Sequence, residues 1–226
     1  MAIQFGVVSN IIGSLGFDIE DDFELVNVRK ANSKQSAIGV GNKGDVIKES
    51  QYGERDEYTL SFTVNADGKT GLELVLGQVF GASEPKFCLT GFELVQVPAD
   101  VATLSVTGHV HTGSANPHIA RIYTVTLPNI GFGVVASLAL AGTLPDGIQR
   151  LVTRGSVNHI DKENRTGGFL IGVSTQGRIE EQIDVLKDGT ITLNSGWVKD
   201  SDSDDEPNTN HLTRSIACHK FLAADV

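Results

Sequence analysis

The chain has 226 residues, 40% of them hydrophobic and 20% charged, with 25 glycines and 6 prolines. That length buries a core without disulfide staples, and that composition excludes a disordered chain. Against 28 Asp and Glu stand only 18 Lys and Arg, a net charge of −10; this excludes a protein that grips nucleic acid by its phosphates or clings to an anionic membrane. The mixture of Val, Ile, Thr and Gly predicts many short strands joined by glycine turns. Cys88 and Cys218 lie far apart and suit a reducing compartment better than a disulfide framework. The first basic residue is Arg29, so the opening does not read as a secretory signal, and no apolar stretch is long enough for a membrane helix.

In chain order, the apolar segment Met1 to Phe17 reads as a first strand or an arm, and acids from Asp18 to Glu24 end it. Lys30 to Asp45 is polar and rich in Gly, Ser and Asn, and reads as a long loop. From Glu57 to Val64 the pattern alternates strictly. Tyr58, Leu60, Phe62 and Val64 take one face and Glu57, Thr59, Ser61 and Thr63 the other, the mark of a half-buried strand. A short helix is expected over about Thr70 to Phe80, with Leu72, Val75, Leu76 and Val79 in one stripe; Gly71 and Gly77 weaken it.

Strands follow over Phe92 to Val97, Ala102 to His111 and Ile119 to Leu127, the last two joined across Thr112 to Pro117. Ile130 to Leu140 reads as a buried strand, and Leu151 to Ile160 and Gly168 to Thr175 as further strands. A hairpin at Asp188–Gly189 is expected to pair Val185 with Ile191 and Ile183 with Leu193, which keeps one face apolar. An offset of 124 residues matches Gly44 with Gly168, Ile47 with Ile171, Gly53 with Gly177 and Glu57 with Glu181. It suggests one domain with an internal duplication, about 44–64 and 168–193.

Motifs of chemistry are few. Gly39 to Gly44 fits G-x-G-x-x-G, but the strand-like Asp45–Val46–Ile47 follows where a phosphate cradle needs a helix. Asp200 to Glu206 begins like a calcium loop, yet Asp205 stands at the glycine position and His211 at the bidentate Glu position, so it reads as an acidic solvated loop. His109, His111 and His118 are candidate metal ligands, with Zn²⁺ the first guess; three surface histidines beside a loop is the plain alternative. No P-loop, HExxH, CxxC or nucleophile elbow occurs, so no enzyme and no cofactor is expected.

The stretch Gly44–Asp45–Val46–Ile47–Lys48–Glu49–Ser50–Gln51–Tyr52–Gly53–Glu54–Arg55–Asp56–Glu57 and its alternating strand resemble the tail-tube and related structural proteins of tailed bacteriophages. Thr107 to His111, Gly168–Phe169–Leu170 and Thr190 to Trp197 with the loop to Arg214–Ser215–Ile216 carry the same resemblance. It implies a mainly β fold, a β-sandwich or half-barrel of antiparallel strands with one flanking helix. It also implies a virion subunit, made in the host cytoplasm, that forms hexameric rings stacked into a tube. Its partners would be itself and other virion proteins, with DNA only as passing cargo and no membrane. Head decoration, tail terminator or baseplate proteins are alternatives within the virion, and a β-sandwich binding module is the alternative outside it. In a tube, Glu57, Thr59, Ser61 and Thr63 together with Glu180, Gln182 and Asp184 are the candidate lumen-facing residues.

Overall fold

The computed structural model describes residues 23–40, 43, 46–64, 72–80, 87–111, 121–163, 169–186, 191–205 and 213–225, all in antiparallel strands and their connections. The strands are β1 (Phe23–Val40), β2 (Val46–Val64), β3 (Glu73–Leu76), β4 (Val79–Phe80), β5 (Phe87–Gln96), β6 (Thr103–His111), β7 (Tyr123–Thr126), β8 (Ile130–Gly131), β9 (Val134–Val135), β10 (Ile148–Glu163), β11 (Phe169–Leu186), β12 (Val198–Asp205) and β13 (Thr213–Phe221). One sheet of nine strands dominates. Eight run in the order β1-β2-β6-β5-β10-β11-β13-β12, and β4 pairs with β5 off that path.

The sheet has a core face and an open face. Leu60, Phe62 and Val64 of β2 are buried on the core face, while Glu57, Thr59, Ser61 and Thr63 alternate onto the other, half-buried. The two-stranded sheet β3-β7 covers this face beside β2, β5 and β6, and Leu74, Leu76, Tyr123 and Val125 join the same apolar cluster. A second cluster joins Leu151, Ile183, Val185 and Ile216 to Leu138 and Leu140 of the connection after β9.

Glu181 sits in the middle of this apolar face, 1% exposed. Its carboxylate accepts hydrogen bonds from the Ala139 and Leu140 amides, the latter at 2.7 Å, and from the Thr153 hydroxyl at 3.1 Å. It ties the covering segment to the sheet, and its burial raises its pKa above the ordinary carboxyl value.

The sheet is a tandem repeat. Four strands, β1-β2-β6-β5, are followed by four more, β10-β11-β13-β12, in the same order and with the same chain connectivity. The registers coincide pair by pair. In the first hairpin Leu25 opposes Phe62, Ser33 opposes Arg55 and Val40 opposes Val46. In the second, Ile148 opposes Val185, Ser156 opposes Arg178 and Glu163 opposes Phe169, a constant shift of 123 (148 − 25) with all three bulges preserved. The β5–β6 and β12–β13 pairs are related by a shift of 110 (198 − 88). Cys88 opposes His109 where Val198 opposes His219, and the bulge at Leu89/Gly91 recurs at Lys199/Ser201. The structural shift of 123 differs by one from the sequence offset of 124, so Arg55 corresponds to Arg178 and Glu57 to Glu180.

Several sequence expectations are overturned. The expected helix near 70–80 is instead β3 and β4 over its described part. The spacing of Leu72, Val75 and Leu76 suits either period over so short a run. Pairing with β7 and the left-handed turn at Gly77 (φ +82) decide for strand. The expected loop from Lys30 is the second half of β1. Here β1 and β2 run beyond β6 as a two-stranded ribbon, in which Lys34, Ser36, Ile38 and Val40 are exposed.

The hairpin pairing Val185 with Ile191 does not form, because β11 is flanked by β10 and β13 and Ile183 opposes Ile216. Ile119 to Leu127 contributes β7, which pairs with β3 and not with β6. Ile130 to Leu140 holds only the short strands β8 and β9, and the acidic run Asp200 to Asp205 is strand, not loop.

Where β5 meets β10, Gly155 lies opposite Phe92, and a Cβ there would run into the Phe92 ring. Gly155→Ala is expected to cost about 1–3 kcal/mol of stability by overpacking. A lowered thermal midpoint checks it; an unchanged one would mean the ring has room to turn.

Candidate functional site

The open face of the large sheet and its two outer edges hold the polar chemistry. A row of side chains crosses six strands of the open face at right angles to them. Ser61 opposes Ser105, Ser105 opposes Glu93, Glu93 opposes Arg154, Arg154 opposes Glu180 and Glu180 opposes His219. All seven candidate lumen residues, Glu57, Thr59, Ser61, Thr63, Glu180, Gln182 and Asp184, therefore lie on one face of one sheet, each half-buried.

Three carboxylates of this face are neutralised in place. Arg55 Nη2 lies 2.8 Å from Glu57, Arg154 Nε 2.6 Å from Glu93 and Arg178 Nε 3.0 Å from Glu180. The face is thus zwitterionic rather than simply acidic. The Arg55–Glu57 and Arg178–Glu180 pairs occupy equivalent places in the two repeats, each with a histidine across the ladder, His109 and His219.

Of the three candidate histidines, the described residues place two on the ladder. His109 is buried beneath the open face, His111 ends β6 opposite Arg55, and His118 lies outside the described residues. His109 meets different companions: Cys88, directly opposite on β5, and His159 on β10, with the ligand atoms of all three within 4.8 Å of one another. Sequence reasoning missed both, because no local spacing links β5, β6 and β10.

The outer edges are oppositely charged. Among the described residues β1 pairs only with β2 and β12 only with β13, so each has one open side. β1 carries Arg29, Lys30 and Lys34; β12 carries Asp200, Asp202, Asp204 and Asp205. On β12, Arg214 and Lys199 hold Asp202 at 2.6 Å and 2.8 Å, and these hydrogen bonds draw its pKa well below the ordinary carboxylate range. Lys30 binds Asp56 at 2.8 Å. No protein-family model matches the chain, and no curated protein matches it significantly.

Proposed function

We propose that the protein is a non-catalytic structural subunit that polymerises edge to edge, as the tail-tube subunit of a tailed bacteriophage. The single observation that carries this reading is the tandem repeat within one open sheet. The first unit already docks on the second through β5 and β10, with Val95 opposite Val152 and Leu94 opposite Thr153. The outward edge of β12 is the repeat equivalent of β5, and that of β1 the equivalent of β10. Applying the two shifts to the internal junction places Asp205 of one copy opposite Arg29 of the next, and Asp204 opposite Lys30.

A head-to-tail contact of this kind generates a ring when its rotation closes, and it removes the exposed edges that otherwise invite aggregation. Bulges at matching places in both units bend both alike, which suits a half-barrel that closes evenly. Opposite charges on the two edges favour this pairing and disfavour β1 on β1 or β12 on β12.

In such a ring the covered core face turns outward and the open face lines the channel, with Glu57, Thr59, Ser61, Thr63, Glu180, Gln182 and Asp184 toward the lumen. Arg55, Arg154 and Arg178 of that face are each held by a carboxylate, so these three offer passing DNA no row of unbalanced cations. The virion placement rests on the tail-tube resemblance. The resemblance implies rings of six subunits; each chain here supplies two four-stranded units, so three chains make a ring of six such units.

Light scattering and microscopy of the purified protein are expected to give rings of three chains, with near six-fold symmetry at low resolution. A monomer at every concentration would sink the reading.

A further inference from the structure

We propose that Cys88, His109 and His159 form a zinc site at the seam between the two repeats. The three ligand atoms, a thiol sulfur and one nitrogen from each imidazole, lie within 4.8 Å of one another. Tetrahedral Zn²⁺ with ordinary bond lengths holds such donors roughly 3.4–3.6 Å apart, so side-chain adjustments of about an ångström close the site. The two imidazoles already lie against each other, with ring centroids 4.6 Å apart and planes tilted by 55°.

The surroundings are those of a built site. Cys88 is fully buried, and His109 is 4% exposed. His159 Nδ1 lies 3.0 Å from the hydroxyl of the fully buried Ser174, an arrangement that fixes the ring and commits Nε2 to the metal. Above the cluster is a pocket of about 290 Å³ lined by His109, His159, Glu57, Arg55 and Thr107. It leaves a fourth position for water on a thiolate–bis-imidazole zinc centre of net charge +1, beside the charge-balanced Arg55–Glu57 pair.

The place of the cluster explains its use. β10 pairs with β5 from Leu151 only as far as Ser156, and at Cys88 the edge of β5 is taken by β4. His159 therefore lies beyond the last hydrogen bond that joins the two units. A metal held by β6, β5 and β10 ties the seam where the ladder has stopped. The repeat sharpens this, because the residues equivalent to Cys88, His109 and His159 are Val198, His219 and Ser36. Only the histidine recurs, so the site belongs to the internal junction and each chain holds one ion. It stands independently of the assembly reading.

The test uses the whole protein, stripped with a chelator and then titrated with Zn²⁺ or with Co²⁺ as a spectroscopic probe. One ion per chain is expected, with a thiolate-to-cobalt charge-transfer band, intense tetrahedral d–d bands and a higher thermal midpoint. Cys88→Ser should abolish the charge-transfer band, and His159→Gln should weaken binding at least tenfold. His219→Ala should leave both stoichiometry and spectrum intact. Cys88 and His109 are buried, so the half-buried His159 gives a variant that keeps the fold if the others do not. A folded, stripped protein that takes up no Zn²⁺, or binding that His219→Ala weakens as much as His159→Gln, overturns the proposal.

Discussion

Reversing the β1 edge, by Arg29→Glu with Lys30→Glu, is expected to stop assembly at concentrations where the unaltered chain forms rings. Restoring complementarity in the same chain, by Asp204→Lys with Asp205→Arg, is expected to bring it back. In the proposed assembly, the register of the internal β5–β10 junction sets Lys30 against Asp204 and Arg29 against Asp205. An opposite-charge cross-strand pair contributes roughly 0.2–1 kcal/mol, and like charges directly opposite cost a similar amount. Two reversed pairs therefore shift each junction by about 2 kcal/mol, some thirty-fold in its dissociation constant.

Lys30 also binds Asp56 within the chain, so the thermal midpoint of each variant separates lost assembly from lost fold. Analytical ultracentrifugation across a dilution series reads the result. If the four-fold variant stays as dissociated as the double one while both remain folded, the β12–β1 pairing is wrong. Raised salt should weaken the unaltered junction, because Arg29, Lys30 and Asp204 are exposed to solvent.

Removing the Glu181 carboxylate is expected to lower stability strongly. Glu181→Ala leaves the buried Leu140 amide and the neighbouring Ala139 amide without their acceptor. Each such loss costs about 1–3 kcal/mol, so the variant should lose about 3 kcal/mol and roughly 6–12 °C of thermal midpoint. Glu181→Gln keeps one acceptor oxygen and should lose less.

The pH dependence is distinctive. Burial raises the folded-state pKa of Glu181 above its ordinary 4.5. Its contribution is then complete below the ordinary carboxyl value and is lost as pH rises through the raised one. In the protonated form its O–H can donate to the Thr153 hydroxyl while the other oxygen still accepts from Leu140. The stability of the unaltered chain relative to Glu181→Gln should therefore fall as pH rises from about 4.5. Asp56 and Asp202 act in the opposite sense. Lys30 lowers the pKa of Asp56, and Arg214 that of Asp202, so what they contribute is lost as pH falls. A difference between the chain and Glu181→Gln that does not change with pH would refute the buried-carboxyl account.

The duplication shows how little of a repeat sequence must retain. At the structural shifts Arg55 and Arg178, Glu57 and Glu180, and His109 and His219 are the same residues, and they share one sheet face. Around them the side chains have diverged: Tyr58 corresponds to the buried Glu181, and Cys88 to the exposed Val198. Register and bulges are properties of the backbone ladder, so they survive substitutions that erase the sequence match.

What the sequence by itself determined was the kind of structure and the sides of its clearest strand. Composition dictated strands, and the alternation from Glu57 to Val64 assigned Leu60, Phe62 and Val64 to the core, because a period of two leaves a half-buried strand no other choice. Only the tertiary structure decided the rest. The short run from Leu72 to Val79 fits both helix and strand until β7 supplies a ladder, and the second half of β1 is polar enough to read as a loop until β2 pairs with it. Cys88, His109 and His159 come from three strands whose approach is set by the order β6-β5-β10. The register proposed for β12 on β1 likewise draws on the internal β5–β10 junction, which no local pattern records. Local pattern records what each residue faces, and long-range pairing chooses its neighbours.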